Sequence, residues 1–153
     1  TPRESIQEIV QQMVAELKPK ANITVVADEA PQWMAKASAG IAASGTVTLQ
    51  AAIMGLPLVS VYRLSYLTYR MARAFVKLPH CTLINIITRR EVYPEFLQHE
   101  VKLSNLLPAM ESIMIGGSRR AEIEQELLNV KELLGGERKS FETAAKAIYK
   151  VIE

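Results

Sequence analysis

Residues 43–63 read ASGTVTLQAAIMGLPLVSVYR. Two structural signals sit back to back in this stretch. A small-residue turn, Ser44-Gly45-Thr46, opens a helical pattern over residues 46–54, which Gly55 ends as a C-cap with Pro57 beyond it. Residues 58–62, LVSVY, then form an apolar, β-branched run that is the clearest strand in the chain. Just before the turn, residues 39–43 (AGIAA) give a second strand whose small side chains let neighbours pack closely. Strand, turn, helix, short loop and strand form the unit of a parallel sheet, because parallel strands need a crossover and a helix supplies it.

The same alternation extends outward. Residues 23–27 (ITVVA) read as a buried strand, residues 31–37 as a short helix carrying Trp33 and Met34, and residues 82–87 as a third extended run. A helix is expected over residues 66–77, with Leu67, Arg70, Met71, Ala74 and Phe75 interleaved and Pro79 as its stop. At the start, Thr1 reads as an N-cap, with Pro2 at the first helical position and Glu4 in the first turn. Ile6, Ile9, Val10, Met13, Val14 and Leu17 follow at helical spacing until Pro19 ends the pattern.

After Gln98 the pattern is helical throughout, over residues 103–114, 119–134 and 140–152. Gly116-Gly117 and Gly135-Gly136 mark helix ends rather than phosphate loops, since no strand precedes either pair. The expected fold is therefore α/β: a Rossmann-like parallel sheet with helices on both faces, one domain over residues 1–153, and a helical tail from about residue 102. Three or four strands make a small doubly wound sheet with no convincing first strand. The chain also opens on Thr1 rather than Met, so it is read as part of a longer protein lacking an N-terminal domain.

Composition bounds the rest. A chain of 153 residues, 49% hydrophobic and 22% charged, suits one globular domain rather than a disordered segment. The lone Cys81 has no partner for an internal disulfide, and its apolar context reads as a small core residue rather than a nucleophile. Two histidines and one cysteine lack the spacing of a structural zinc site, so no metal is expected. No apolar run approaches the roughly 20 residues of a membrane span, and no secretory signal is present.

A net charge of +2 conceals an asymmetry: residues 31–90 contain no Asp or Glu, while Lys36, Arg63, Arg70, Arg73, Lys77, Arg89 and Arg90 are all basic. Such a field favours an anionic partner, either a nucleotide phosphate or an acidic lipid surface, unless it is simply a solvated basic face. Nucleic acid is not favoured, because no binding module accompanies a nearly balanced charge.

The chemistry concentrates in three places. Ser44, Gly45 and Thr46 lie between strand and helix, where N–H groups, hydroxyls and close backbone approach suit a phosphate; an ordinary helix cap uses the same residues. Gln50 lies one turn on, placed either for a ribose hydroxyl or for solvent. Asn85, between Ile84 and Ile86 near the end of an expected strand, must find partners or lose about 1–3 kcal/mol. Structural pairing and ligand contact both satisfy it. Arg89, Arg90 and Glu91 follow; two guanidiniums suit a diphosphate, and a surface ion pair to Glu91 or Glu95 suits them equally. Residues 62–70, YRLSYLTYR, mix aromatics with arginines, as a membrane-surface helix does or as a helix with Leu67 and Met71 in the core does.

In order and spacing, ASGTVTLQAAIMGLPLVSVYR, LSYLTYRMARAFVKLP (residues 64–79) and INIITRREVYPEFLQ (residues 84–98) resemble the nucleotide-binding C-terminal half of the lipid-A-disaccharide synthase family. These are bacterial glycosyltransferases of the two-Rossmann GT-B type. The resemblance implies transfer of 2,3-diacylglucosamine from its UDP derivative onto 2,3-diacylglucosamine 1-phosphate, giving a β-1,6-linked disaccharide phosphate and UDP. It implies inversion through a single displacement, no metal and no cofactor, and a catalytic and acceptor domain outside this chain. By the same resemblance Ser44, Gly45, Thr46, Gln50, Asn85, Arg90 and Glu91 bind the nucleotide and its diphosphate, with Gln50 at the ribose; the basic field adds Arg63, Arg70, Arg73 and Arg89 as candidate contacts to phosphate or membrane. Gln50 stands where the family usually has a glutamate, Ile84 where it has a proline, and Arg89 where it has a glycine.

The implied partners are the two acylated sugars, the cytoplasmic face of the bacterial inner membrane and the N-terminal domain, with a homodimer left open. Another UDP-sugar transferase or epimerase of GT-B-like fold, and a non-catalytic lipid-surface α/β domain, stand as alternatives.

Overall fold

A computed structural model describes residues 2–65, 68–71, 79–134 and 148–149, the side chains of residues 2–5 excepted. Thr1 as an N-cap, the side chain of Glu4, Arg73, and most of the helices expected over residues 66–77 and 140–152 lie outside the described residues. The chain divides into two compact units, Thr1–Ala37 and Ser38–Glu153.

The first unit holds α1 (Pro2–Leu17) and α2 (Ala30–Lys36), both as the sequence predicts. Gln7 reaches from α1 to the carbonyl of Val25, and Lys36 lies 5.9 Å from the centroid of the Trp33 ring. Residues 23–27 do not form the expected strand, and Ile23 and Val26 are exposed. A β-branched run becomes a strand only when a neighbour takes its backbone groups. The sheet takes all its strands from the second unit.

That sheet has three parallel strands, β1 (Gly40–Ala43), β2 (Leu58–Tyr62) and β3 (Glu95–Leu97), in the order β1-β2-β3. The first pair aligns Gly40 with Leu58, and the second aligns Ser60 with Glu95. Leu58, Val59 and Ser60 are all buried, as expected of a central strand covered on both faces.

Between β1 and β2 runs α3 (Thr46–Ile53), which buries Thr48, Ala51 and Ala52 at helical spacing. These small side chains let it lie close to β1 and β2. Its end is closed by Gly55 at φ +73°: the Gly55 N–H donates to Ala52 O (3.0 Å) and the Leu56 N–H to Ala51 O (2.9 Å). This double closure is the Schellman arrangement, and the left-handed residue in it favours glycine. Pro57 follows fully buried, and its carbonyl takes the Gly40 N–H that opens the ladder (3.0 Å).

Residues 82–87, expected as a third strand, form instead a helix, α4 (Leu83–Thr88). A short run such as LINII has no period that separates helix from buried strand. The local decision is made by Thr82, whose hydroxyl accepts the Asn85 N–H at 3.4 Å and caps the helix. Arg89, left-handed at φ 54°, ends it.

Beyond β3 come a 3₁₀ turn (Gln98–Glu100), α5 (Leu103–Ile113) and α6 (Arg120–Leu133). α6 faces the core with Ile123, Leu127 and Val130, and packs against α3. Gly116 and Gly117 separate α5 from α6, as predicted. Gly116 takes a positive φ, and a Cβ on Gly117 would overlap the carbonyl oxygens of Ser112 and Glu111.

Candidate functional site

Parallel strands end on one edge, so Ser44, Arg63 and Gln98, which follow β1, β2 and β3, all lie along the carboxyl side of the sheet. Ser44 extends the ladder by one step, its N–H donating to Val61 O at 3.1 Å. Gln98 does the same for β2 through its side chain: Oε1 accepts from Leu64 N (3.2 Å) and Nε2 donates to Leu64 O (3.1 Å). Arg63 donates to Val101 O at 2.6 Å. The loop after β2 is therefore tied to the segment after β3.

At the start of α3, Gly45 is the N-cap in an extended conformation, and no side chain caps the helix. Thr48, fully buried, returns its hydroxyl (2.7 Å) and its N–H (3.1 Å) to Gly45 O. The Gly45 carbonyl is thus satisfied, and a Cβ built on Gly45 meets nothing within 4 Å. Thr46 and Gln50 are exposed and four residues apart, on one face of α3. The Ser44 hydroxyl donates to Cys81 O at 2.9 Å, bringing the residue before α4's cap against the α3 turn.

Cys81 is exposed rather than the core residue expected. Partial withdrawal from water, and secondarily the Glu95 carboxylate, push its thiol above the usual value. It is a thiol at neutral pH, held in the turn by its backbone.

The centre of this turn is a residue that the sequence reading treated only as a surface partner. Glu95, on β3, accepts four hydrogen bonds. Oε2 takes the Cys81 N–H (2.8 Å), and Oε1 takes the Thr82 N–H (2.8 Å), the Thr82 hydroxyl (2.6 Å) and the Asn85 Nδ2 (2.8 Å). A carboxylate directly after Pro94 in an otherwise apolar run was the available signal, since a charge drawn into a core must be paired.

Asn85 lies on α4, not on a strand, and is fully buried. Its Nδ2 also donates to Tyr93 O (2.8 Å), and its Oδ1 accepts from Tyr93 N (2.9 Å). Both amide protons are used inside the fold.

Arg89, Arg90 and Glu91 fall at the other end of α4, a helix about 9 Å long at 1.5 Å per residue. Arg90 pairs with Glu126 of α6 at 3.0 Å, and Glu91 pairs with Arg119 at 3.5 Å. Arg119 also donates to Glu91 O (2.9 Å). The fold therefore joins Ser44, just before α3, to the Cys81–Thr82 turn, and groups Arg90 and Glu91 with α6. Arg63, Arg70 and Arg89 are exposed. Among the described residues, no three His, Cys, Asp or Glu side chains are placed to hold a metal, and no helix is long and apolar enough to cross a membrane.

A family model described as lipid-A-disaccharide synthetase matches residues 2–151. Among proteins named lipid-A-disaccharide synthase, one from Solibacter usitatus is 34% identical over 131 residues, covering 86% of this chain and 34% of the relative. One from Acidobacterium capsulatum is 37% identical over 134 residues, covering 82% and 33%. One from Nitrosococcus oceani is 36% identical over 113 residues, covering 74% and 29%. The chain spans about a third of the length of these relatives.

Proposed function

This chain belongs to the lipid-A-disaccharide synthase family, and we propose that it supplies the donor-nucleotide half of that glycosyl transfer. The observation that carries the reading is the N-terminus of α3, uncapped by any side chain at the carboxyl edge of a parallel sheet, with the Ser44 hydroxyl beside it. Free N–H groups and the positive end of a helix dipole at such an edge suit a phosphate.

In the proposed reaction a 2,3-diacylglucosamine unit passes from its UDP derivative to the 6-hydroxyl of 2,3-diacylglucosamine 1-phosphate. The acceptor oxygen bonds to the anomeric carbon as the bond from that carbon to the UDP oxygen breaks. The electron pair leaves with UDP, and the acceptor proton goes to a base outside this chain. Charge develops on the departing diphosphate, so donors fixed there before reaction stabilise the transition state more than the bound substrate.

Ser44 redirects its hydroxyl from Cys81 O to a phosphate oxygen, and the first-turn amides at Gly45 and Thr46 add donors. Gln50, one turn on, hydrogen-bonds the ribose hydroxyls; a neutral amide does this more weakly than a carboxylate. Asn85 acts through the Tyr93 backbone and Glu95. Arg90 and Glu91 form an outer pair: an exposed ion pair has little net energy, so exchanging Glu126 for a phosphate oxygen costs little. Both proposed substrates carry acyl chains, which sets the reaction at a membrane surface, the cytoplasmic face of the inner membrane in this reading. Exposed Arg63, Arg70 and Arg89 suit acidic headgroups there.

Titration of the chain with UDP, followed by amide chemical shifts with UMP and ATP as controls, tests the reading. Selective UDP binding with the largest shifts between Ser44 and Gln50 is expected. Shifts confined elsewhere, or equal response to all three nucleotides, would refute it.

A further inference from the structure

We infer that Glu95 is the positioning residue of this edge, acting on Ser44 through the single peptide unit between Cys81 and Thr82. The inference rests on the reading of the α3 turn as the donor's phosphate seat. The oxygen of that peptide accepts the Ser44 hydroxyl at 2.9 Å, and its N–H donates to Glu95 Oε1 at 2.8 Å. A peptide is planar, so whatever fixes the N–H fixes the carbonyl on its opposite side. The Ser44 oxygen is therefore held at the edge by a charge on another strand, and a phosphate needs only the hydroxyl proton to turn from Cys81 O toward it.

The remaining bonds of Glu95 tighten the same turn. Oε2 takes the Cys81 N–H at 2.8 Å, and Oε1 takes the Thr82 hydroxyl at 2.6 Å, which itself caps α4 on the Asn85 N–H. The Thr82 hydroxyl caps α4 and the Glu95 carboxylate takes the two N–H groups just before that helix, while α3 receives no capping side chain. A phosphate arriving at the edge meets the open start of α3, and Ser44 is already beside it.

Glu95→Gln keeps the shape, removes the charge and sets an amide where acceptors are required. With UDP as probe, its Kd is expected to rise at least fivefold at a temperature where both proteins are folded. Adding Ser44→Ala to Glu95→Gln is expected to change Kd less than twofold further, because both substitutions break one relay. A purely structural carboxylate would lower the melting temperature and leave the Kd unchanged, with the two substitutions acting independently.

The wild-type chain gives a second measurement that needs no variant. Adding UDP is expected to draw Ser44 off Cys81, moving the Thr82 amide proton and the Glu95 carboxylate carbon. If UDP binds but these signals stay put, or Glu95→Gln binds as tightly, the relay is wrong and the donor reading stands. If the wild-type chain ignores UDP, both fall together.

Discussion

The side chain of Asn85 and the backbone of Tyr93 bind each other reciprocally, Oδ1 accepting the Tyr93 N–H at 2.9 Å and Nδ2 donating to the Tyr93 carbonyl at 2.8 Å. The amide thus takes the place of a neighbouring strand for one residue, immediately before β3 begins. Asn85→Leu keeps the branched shape and removes every side-chain hydrogen bond. It leaves two buried backbone groups of Tyr93 unpaired at about 1–3 kcal/mol each, so a loss of about 3 kcal/mol is expected. A fall in the urea midpoint at unchanged slope would show it.

Tyr93 is fully buried, and its hydroxyl donates to Leu56 O at 2.8 Å. Burial pushes the phenol above its ordinary value of 10.0. The unfolded chain releases this proton above about pH 10 while the folded chain keeps it, so stability is full below that pH and falls as pH rises. The slope from this residue approaches about 1.4 kcal/mol per pH unit. Tyr93→Phe is expected to lose about 1 kcal/mol at pH 7 and to show a shallower decline above pH 10 in denaturant melts.

Gly117 has no room for a side chain, because a Cβ would overlap the Ser112 and Glu111 carbonyl oxygens that end α5. Gly117→Ala is expected to cost more than about 2 kcal/mol through backbone displacement, read as a lowered thermal midpoint.

Ser44→Ala removes one charge-assisted donor from the proposed phosphate seat. Such bonds contribute about 1.5–3 kcal/mol, offset in part by the Cys81 bond that Ser44 gives up. A roughly tenfold rise in the UDP Kd by calorimetry is expected, with little change in thermal stability.

Arg90→Ala tests the outer pair. The guanidinium is largely exposed and bonded to Glu126, so stability is expected to change by less than about 1 kcal/mol. UDP affinity is expected to fall less than in Ser44→Ala. A larger fall would move the diphosphate toward the far end of α4.

The β1–α3–β2 unit was legible because its signals are local: small residues at the turn, helical spacing to Met54, Gly55-Leu56-Pro57 as a stop, then LVSVY. The errors lie where partners decide. Residues 23–27 have a strand's composition and, among the described residues, pair with no strand, whereas Glu95-Phe96-Leu97 has no readable pattern and becomes a strand by pairing with β2. The LINII run was ambiguous in period, and its helix depends on the Thr82 hydroxyl, itself oriented by Glu95. At the site, the Ser44 turn was readable from spacing. Glu95 was not, because its four donors come from a turn and a helix more than nine residues earlier in the chain.

The register of the sheet also sets an order of assembly. Eighteen residues separate Gly40 from Leu58, and thirty-five separate Ser60 from Glu95, so the second closure spans twice the chain. The added entropy of closure is only about 0.6 kcal/mol, but it falls on a strand of three residues that cannot hold itself in place. β1 and β2 are thus expected to pair early, around their own crossover helix, and β3 to dock late. Glu95 arrives with that last strand. Substitutions there should leave the folding rate nearly unchanged and speed unfolding, since they remove contacts the transition state has not yet made. The edge is completed at the end of folding and released at the start of unfolding, so a ligand seated on it would slow the chain's unfolding more than it hastens its folding.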